Sequence, residues 1–323
     1  MKLIKACIVS EIDKDLTKHP LHEIGNVWRR SREPARQPAL NQLLLSPLER
    51  VMSYASLLVY VNADHVSTNL VAVAAAVSDK FSARLIGSSA LAVLPPFVAE
   101  GVVVVDNATE FDIAKMKAKL ESAGNKFRSA AGSGREVEWR SAIEFPTKAV
   151  IDGARCADLI VIQKGKSDDI YRTLDPGAAI LGTGRPLLVV PAAARSLTAE
   201  HVFVAWKDTR EARRAVQDAL PFLREAGRTT VIEVCENDRM DAARYSVNDV
   251  ASYLARHGIK AETRVEIRAH GSGADQIIEL AEDEGGDLLV AGAYGHNRLN
   301  EWVFGGMTRD LLTSSPICCL MSH

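Results

Sequence analysis

Cysteine is scarce in this chain, and the cysteines present form no recognisable pattern. The 323 residues contain five of them, Cys7, Cys156, Cys235, Cys318 and Cys319, and no two form a C-x-x-C pair. Disulfide-stapled secreted scaffolds need a denser set, and no metal-ligand cluster of the H-E-x-x-H type occurs either. We therefore expect a protein of a reducing compartment, the cytoplasm, with no metal site. The adjacent Cys318 and Cys319 lie in an expected strand, so they should point to opposite faces, and core packing is favoured over redox sensing.

Long hydrophobic runs and an excess of charge are also missing. The longest strongly apolar stretch, residues 70–77, has eight residues, whereas a helix needs roughly 20 to cross a bilayer. The formal net charge is −2, which leaves no broad basic surface for nucleic acid. These absences exclude a membrane-spanning protein and make nucleic acid an unexpected partner.

Glycines follow an apolar strand near the end of the chain. Residues 288–291 form the apolar run, Gly292 and Gly295 come next, and Gly305 and Gly306 precede an expected helix. Glycine lets backbone amides approach an anion closely, and a helix N-terminus turns unpaired N–H groups toward it. This arrangement, at the carboxyl end of a central strand, is typical of a phosphate site.

The spacing Gly-x2-Gly-x9-Gly resembles the nucleotide-binding signature of the universal stress protein family. The resemblance implies ATP as the cofactor, with loop amides and a Ser or Thr hydroxyl around its phosphates. Here that hydroxyl position is Gly306, and we expect Thr308 to offer the hydroxyl instead. The implied site residues are Ala205, Trp206, Lys207, Val234, Ala291, Gly292, Gly295, His296, Gly305, Gly306, Met307 and Thr308.

Three of these residues have alternative interpretations. Lys207 stands where the family commonly has an Asp that approaches the nucleoside, which exchanges an acceptor for a donor. Trp206 could stack on a base, but packing is the more common role of an aromatic residue at a strand end. His296 could approach a phosphate or lie in a solvated loop.

The chain repeats itself. Residues 157–162 recur as 286–291 and residues 185–190 recur as 315–320, at spacings of 129 and 130, and residues 54–61 match 200–207 upstream. Within each copy, strands alternate with helices, which predicts a parallel doubly wound sheet. We expect an α/β fold of two tandem, five-stranded, Rossmann-like domains, at residues 52–196 and 197–323.

The two copies are expected to differ in function and to pack together. After residue 162 the first copy lacks paired glycines and carries acidic residues, so its phosphate loop is interpreted as degenerate. Leu187–Val190 and residues 317–321 are apolar edge strands, which would template aggregation if left open. Because the family commonly dimerises through its last strands, we expect these two strands to pair in an intrachain pseudo-dimer. A homodimer of the whole chain is a further possibility that the sequence allows.

Residues 1–51 match neither copy. They carry nine Lys or Arg against six Asp or Glu, together with four prolines, a composition that buries little surface. We expect a loosely ordered extension, or a start assigned too far upstream, whose removal leaves thermal stability unchanged.

The sequence thus predicts a cytoplasmic stress-response protein whose second domain binds ATP or another adenine nucleotide. No nucleophile elbow, Walker motif or metal-ligand pattern indicates an enzyme, so action through conformation or association is expected, with slow nucleotidase activity at most. The alternative is a ligand-free structural or interaction module in which both sites are vestigial.

Overall fold

The computed structural model describes residues 53–93, 97–99, 102–104, 110–165, 169–269, 272–295 and 306–323. Residues 1–52, the expected extension among them, lie outside this set. The first half contains strands β1 (Ser56–Tyr60), β2 (Arg84–Ala90), β3 (Phe97–Ala99), β4 (Val102–Val104), β5 (Val137–Ala142), β6 (Leu159–Gln163) and β7 (Leu187–Val190). Its helices are α1 (Thr68–Phe81), α2 (Glu110–Ala131), α3 (Pro146–Gly153) and α4 (Pro176–Thr183).

The second half contains strands β8 (His201–Ala205), β9 (Arg228–Cys235), β10 (Ala261–Ile267), β11 (Leu288–Gly292) and β12 (Cys318–Ser322). Its helices are α5 (Arg210–Asp218), α6 (Leu220–Glu225), α7 (Met240–Arg256), α8 (Gly273–Asp283) and α9 (Gly306–Thr313). None of the described helices is long and apolar enough to cross a bilayer.

Local signals set the ends of several helices in the second half. The Thr209 side chain accepts a hydrogen bond from the Ala212 amide and so caps α5. Proline cannot donate within a helix, and Pro221 lies in the first turn of α6 after the break at Ala219. Gly258 follows α7 with φ of 79°, a conformation that glycine adopts without strain.

The ten long strands form one sheet in the order β10-β9-β8-β11-β12-β7-β6-β1-β2-β5. Within each half the strands are parallel, and the halves meet where β12 pairs antiparallel with β7, with Leu320 opposite Leu188. This confirms the expected α/β class and the predicted pairing of the two apolar edges. The short strands β3 and β4 form a separate antiparallel pair, which the sequence did not indicate.

Both faces of the sheet are covered, and each apolar layer runs through both halves. One layer, on the side of α1, α5 and α7, contains Cys318 and Leu320 together with Leu188. The other, on the side of α3, α4, α8 and α9, contains Cys319 and Met321. The two cysteines therefore lie on opposite faces as predicted, and burial raises the pKa of the Cys318 thiol to about 12.

The alignment of the two copies needs one correction. Val59 pairs with Val161 in the first half, and Val204 pairs with Val290 in the second. Tyr60 therefore corresponds to Ala205, one position away from the match of residues 54–61 with 200–207. Since alternate residues of a strand face opposite sides, this slip would have placed each side chain on the wrong face.

Candidate functional site

The second half has a topological switch point between β8 and β11. The chain leaves β8 for β9 through α5 on one face of the sheet, and leaves β11 for β12 through α9 on the other face. Divergence of the two connections opens a crevice at the carboxyl ends of the strands, where doubly wound folds bind ligands. Ala205, Ala291 and Gly292 form the ends of these two strands.

The same positions in the first half carry larger side chains. The strand register makes Tyr60, Ile162 and Gln163 the counterparts of Ala205, Ala291 and Gly292. Tyr60 and Ile162 are buried, and burial raises the pKa of the Tyr60 phenol well above its usual value. The strand ends are therefore filled in the first half and lined by small residues in the second.

Side chains also occupy the phosphate positions of the first half. The Gln163 amide Nε2 donates to the Ser67 hydroxyl at 3.2 Å, and that hydroxyl caps α1. The Asp175 carboxylate accepts from the Gly177 and Ala178 amides at 2.9 and 3.2 Å, at the start of α4. A carboxylate thus takes the place of an anion at this helix N-terminus, as predicted from the acidic residues of the degenerate loop.

In the second half, the segment from Gly292 to Gly295 forms a turn, here called the glycine turn, and its two glycines have different roles. A Cβ atom on Gly292 would lie 2.5 Å from the Ala212 amide nitrogen, so Gly292 lets β11 pack on the backbone of α5. A Cβ atom on Gly295 would make only ordinary contacts, the nearest at 3.6 Å. Gly295 does not need a positive φ, because the left-handed residue of this turn is Tyr294, with φ of 56°.

Thr308 stabilises the loop from inside. The side chain is buried in α9, and its Oγ1 accepts a hydrogen bond of 3.3 Å from the Tyr294 amide. The hydroxyl expected to face a phosphate thus already holds the glycine turn. Of its neighbours, Gly306 is the first residue of α9, whereas His296 and Gly305 lie outside the described residues.

A buried carboxylate lies next to the glycine turn, and the sequence alone did not identify it as a site residue. Glu211, in the first turn of α5, is 1% exposed, and its Oε2 lies 3.6 Å from the Cβ position of Gly295. Its Oε1 accepts a hydrogen bond from the Arg210 guanidinium. An acid in the first helical turn is the available signal, but acids there usually stabilise the helix dipole in solvent. An anion over this turn would lie near a negative charge that Arg210 partly compensates.

The residues expected around a base separate onto the two faces of the sheet. Trp206 is buried in the α5 and α7 layer and donates from Nε1 to the Ser246 hydroxyl at 2.7 Å, so packing is its role. Ala205 and Val234 belong to the opposite layer. There a Cβ atom on Gly273 would lie 3.7 Å from Val234 and 3.9 Å from the Met307 methyl group. Met307, Val234 and Gly273 thus converge on the α8 and α9 side, against the layer that contains Ala205.

The described residues contain no group of three or more His, Cys, Asp or Glu side chains that could hold a metal ion.

Fold and site together define an α/β protein of two doubly wound halves, with a glycine turn at the switch point of the second. The sequence model of the universal stress protein family matches residues 198–323. Residues 198–323 therefore form a universal stress protein domain.

Known proteins agree with this assignment. A universal stress protein of Methanocaldococcus jannaschii is 27% identical over 126 residues, which cover 38% of this chain and 75% of the relative. The crystal structure of a universal stress protein from Archaeoglobus fulgidus covers 83% of this chain and 96% of its own, with 14% identity and a TM-score of 0.61. A functionally unknown protein from Pseudomonas aeruginosa covers 84% of this chain and 93% of its own, at 14% identity and a TM-score of 0.52. The two structural likenesses extend over both halves and show a shared fold.

Proposed function

We propose that the second half binds an adenine nucleotide, with ATP as the first candidate, and that the first half is its structural partner. The observation that carries this proposal is the contrast at the strand ends. Ala205 and Ala291 are small side chains at the switch point of the second half, whereas the larger Tyr60 and Ile162 fill that of the first. The family's glycine pattern in the second half supports a phosphate-bearing ligand.

In this proposal the phosphates lie over the glycine turn and the start of α9. The Gly295 amide and the N-terminus of α9 at Gly306 supply donors, because the Ala293 and Tyr294 amides already donate to the Ser322 carbonyl and to Thr308. The base lies toward Ala205 and Val234, on the side where Met307 and Gly273 converge. Met307 is an unbranched, flexible side chain that can move aside for a planar ring.

Occupancy of such a site would act through conformation or association in the cytoplasm, not through turnover. The described cysteines are free, which suits a reducing compartment. Slow nucleotidase activity is the less favoured possibility. A phosphate-release assay on the full chain, with boiled protein as control, tests it directly.

Two observations favour a second candidate, a ligand-free interaction module. The Glu211 carboxylate lies beside Gly295, and Gly306 lacks the hydroxyl of the family pattern. Both features weaken an anion site. Both sites would then be vestigial, and the domains would only mediate interaction.

Equilibrium binding of labelled ATP, ADP and AMP to the full chain separates the two candidates. Gly306→Ser restores one neutral hydrogen bond, worth about 0.5–1.5 kcal/mol, and should tighten ATP binding roughly two- to tenfold. Gly295→Val should remove binding, because a branched side chain would block the approach of a phosphate to the backbone. Its Cβ has room in the structure, so the fold should survive.

Ala205→Tyr transfers the filled strand end of the first half into the second and should also abolish binding. The matched control is Tyr60→Ala, which should leave ATP binding unchanged because Gln163 and Asp175 still occupy the phosphate positions there. If wild type and Gly306→Ser both fail to bind at millimolar ATP, the nucleotide proposal is wrong and the interaction module is favoured.

A further inference from the structure

A cavity of about 1060 Å³ opens between α5 and α7, over the carboxyl ends of β8 and β9. It lies on the Trp206 side of the sheet, across from the Ala205 side to which the nucleotide is assigned. Its floor is apolar and buried, and includes Trp206, Val216, Ala243 and Val250. Its rim is charged and exposed.

The fold does not require this cavity. In the first half, α1 and α2 correspond to α5 and α7, and an apolar cluster of Ala63, Leu91, Leu120 and Ala123 lies in the corresponding region. The strand register makes Leu91 the counterpart of Cys235, which lines the cavity. The same space is thus packed in one half and open in the other, and an open space of this size is that of a ligand pocket.

The charged groups of the rim divide into paired and unpaired sets. Asp208 pairs with Arg213 at 2.5 Å, and Glu236 pairs with Arg268 at 3.4 Å. Lys207, Arg239, Glu233 and Asp249 also line the cavity, and no ion pair within the described part of the chain involves them. Two cations and two acids therefore stay available to a ligand.

Glu233 contributes a buried acceptor atom to the lining of the cavity. Its Oε2 is buried and has no hydrogen-bond partner among the described residues. Lys207 and Arg239 lie close enough to act on the carboxylate electrostatically, yet neither forms a salt bridge with it. A buried acceptor without a donor costs about 1–3 kcal/mol, which a bound N–H group would recover.

We propose that this cavity binds a free aromatic α-amino acid. An anion alone would face Glu233 and Asp249, and a cation alone would face Lys207 and Arg239, whereas a zwitterion satisfies both sets. The ligand ammonium donates to Glu233, its carboxylate lies between Lys207 and Arg239, and its ring packs on Trp206, Val216 and Val250. Val234 borders both this site and the nucleotide site, but the two lie on opposite sides of the sheet and this proposal does not depend on nucleotide binding.

Calorimetric titration of the full chain with four probes tests the chemistry. L-Phenylalanine carries both charges and the ring, 3-phenylpropionate lacks the ammonium, phenethylamine lacks the carboxylate, and L-alanine lacks the ring. A charge-assisted hydrogen bond is worth about 1.5–3 kcal/mol. The two probes that lack a charge should therefore bind at least about tenfold more weakly than phenylalanine. L-Alanine should also bind at least about tenfold more weakly, because it loses the burial of the ring.

Variants then assign the contacts. Glu233→Gln should weaken phenylalanine about tenfold and leave 3-phenylpropionate unchanged, because that probe has no ammonium to lose. Arg239→Met should weaken phenylalanine and leave phenethylamine unchanged. Arg244→Met is the control, since Arg244 lies on α7, pairs with Asp241 and does not line the cavity.

Ala243→Leu should close the cavity as Leu120 does in the first half, and so abolish phenylalanine binding while ATP binding stays at its wild-type value. The proposal is overturned if wild type binds no phenylalanine at millimolar concentration, or if the truncated probes bind as tightly as phenylalanine. Equal weakening by Arg239→Met and Arg244→Met would overturn it too. None of these outcomes bears on nucleotide binding, so the two proposals fail separately.

Discussion

At the scale of single residues, the two glycines of the turn separate structure from function. Gly292→Ala should destabilise the protein by about 1–3 kcal/mol, the usual cost of overpacking, because its Cβ would lie 2.5 Å from the Ala212 nitrogen. Gly295→Ala should cost far less, since its nearest contact is 3.6 Å. Urea unfolding of both variants checks this, and equal losses would contradict it.

Glu233 gives a pH dependence of definite sign. Burial, and secondarily Asp208, raises the pKa of the Glu233 carboxyl above its unfolded value. The raised pKa means that stability is fully present below the unfolded pKa and is lost as pH rises through the folded pKa. Glu233→Gln removes this loss, so the free energy of unfolding of the variant should increase relative to wild type as pH rises above the unfolded pKa, about 4, which urea unfolding at a series of pH values would measure.

The control for that experiment is Glu262→Gln, whose stability relative to wild type should change with pH in the opposite direction. A hydrogen bond from Arg228 lowers the pKa of the exposed Glu262 carboxyl. Its contribution is present above the unfolded pKa and is lost as pH falls through the folded pKa. Glu262→Gln should therefore be relatively less stable near pH 7, and a rising gain with pH for this variant would contradict the assignment.

At the scale of elements, the Asp175 cap tests how the first half satisfies the unpaired amides at the start of α4. Asp175→Ala should lose about 1 kcal/mol of stability, because the first amides of α4 lose their acceptor. Asp175→Asn should keep most of it, since Asn is an equally good cap. Neither variant should bind ATP in the first half while Tyr60 and Gln163 remain, and gained binding would show that the carboxylate alone blocks that site.

Elements whose signals are local could be predicted from the sequence. Thr209 as a cap, the helix break at Pro221 and the stop at Gly258 each depend on one residue and its immediate neighbours. The register between the two copies could not be predicted from the sequence, because apolar runs look alike when they are shifted by one position. Only the pairing of Val59 with Val161 and of Val204 with Val290 fixes it.

The candidate site also contains features that could be predicted from the sequence and features that could not. The glycine spacing follows from the sequence, whereas the closeness of Glu211 to Gly295 and of Thr308 to Tyr294 depends on how α5 and α9 pack against β11. The cavity between α5 and α7 was invisible for a similar reason. It is defined by the absence of a packed cluster such as that around Leu120, and a missing contact leaves no pattern in a sequence.

At the scale of the whole molecule, the β7–β12 junction is the feature to test. Residues 198–323 expressed alone would expose the apolar edge of β12, with Leu320 and Cys319 uncovered where Leu188 and Val189 now pair. Such edges recruit another strand, so this half should dimerise or aggregate, as light scattering after gel filtration would show. A soluble monomer that exposes no apolar surface would contradict the role given to the junction.

The continuous sheet also determines how a binding event in one half would be felt in the other. Both apolar layers contain residues from both halves, and Tyr54 of the first half donates to the Asp218 carbonyl of the second at 2.5 Å. Opening of either half therefore exposes the core of both. A ligand held by the second half would slow amide hydrogen exchange in β6 and β7, which never touch it, through mass action on the shared opening reaction. The first half, whose own pocket is filled, would serve as the reporter of its neighbour's occupancy.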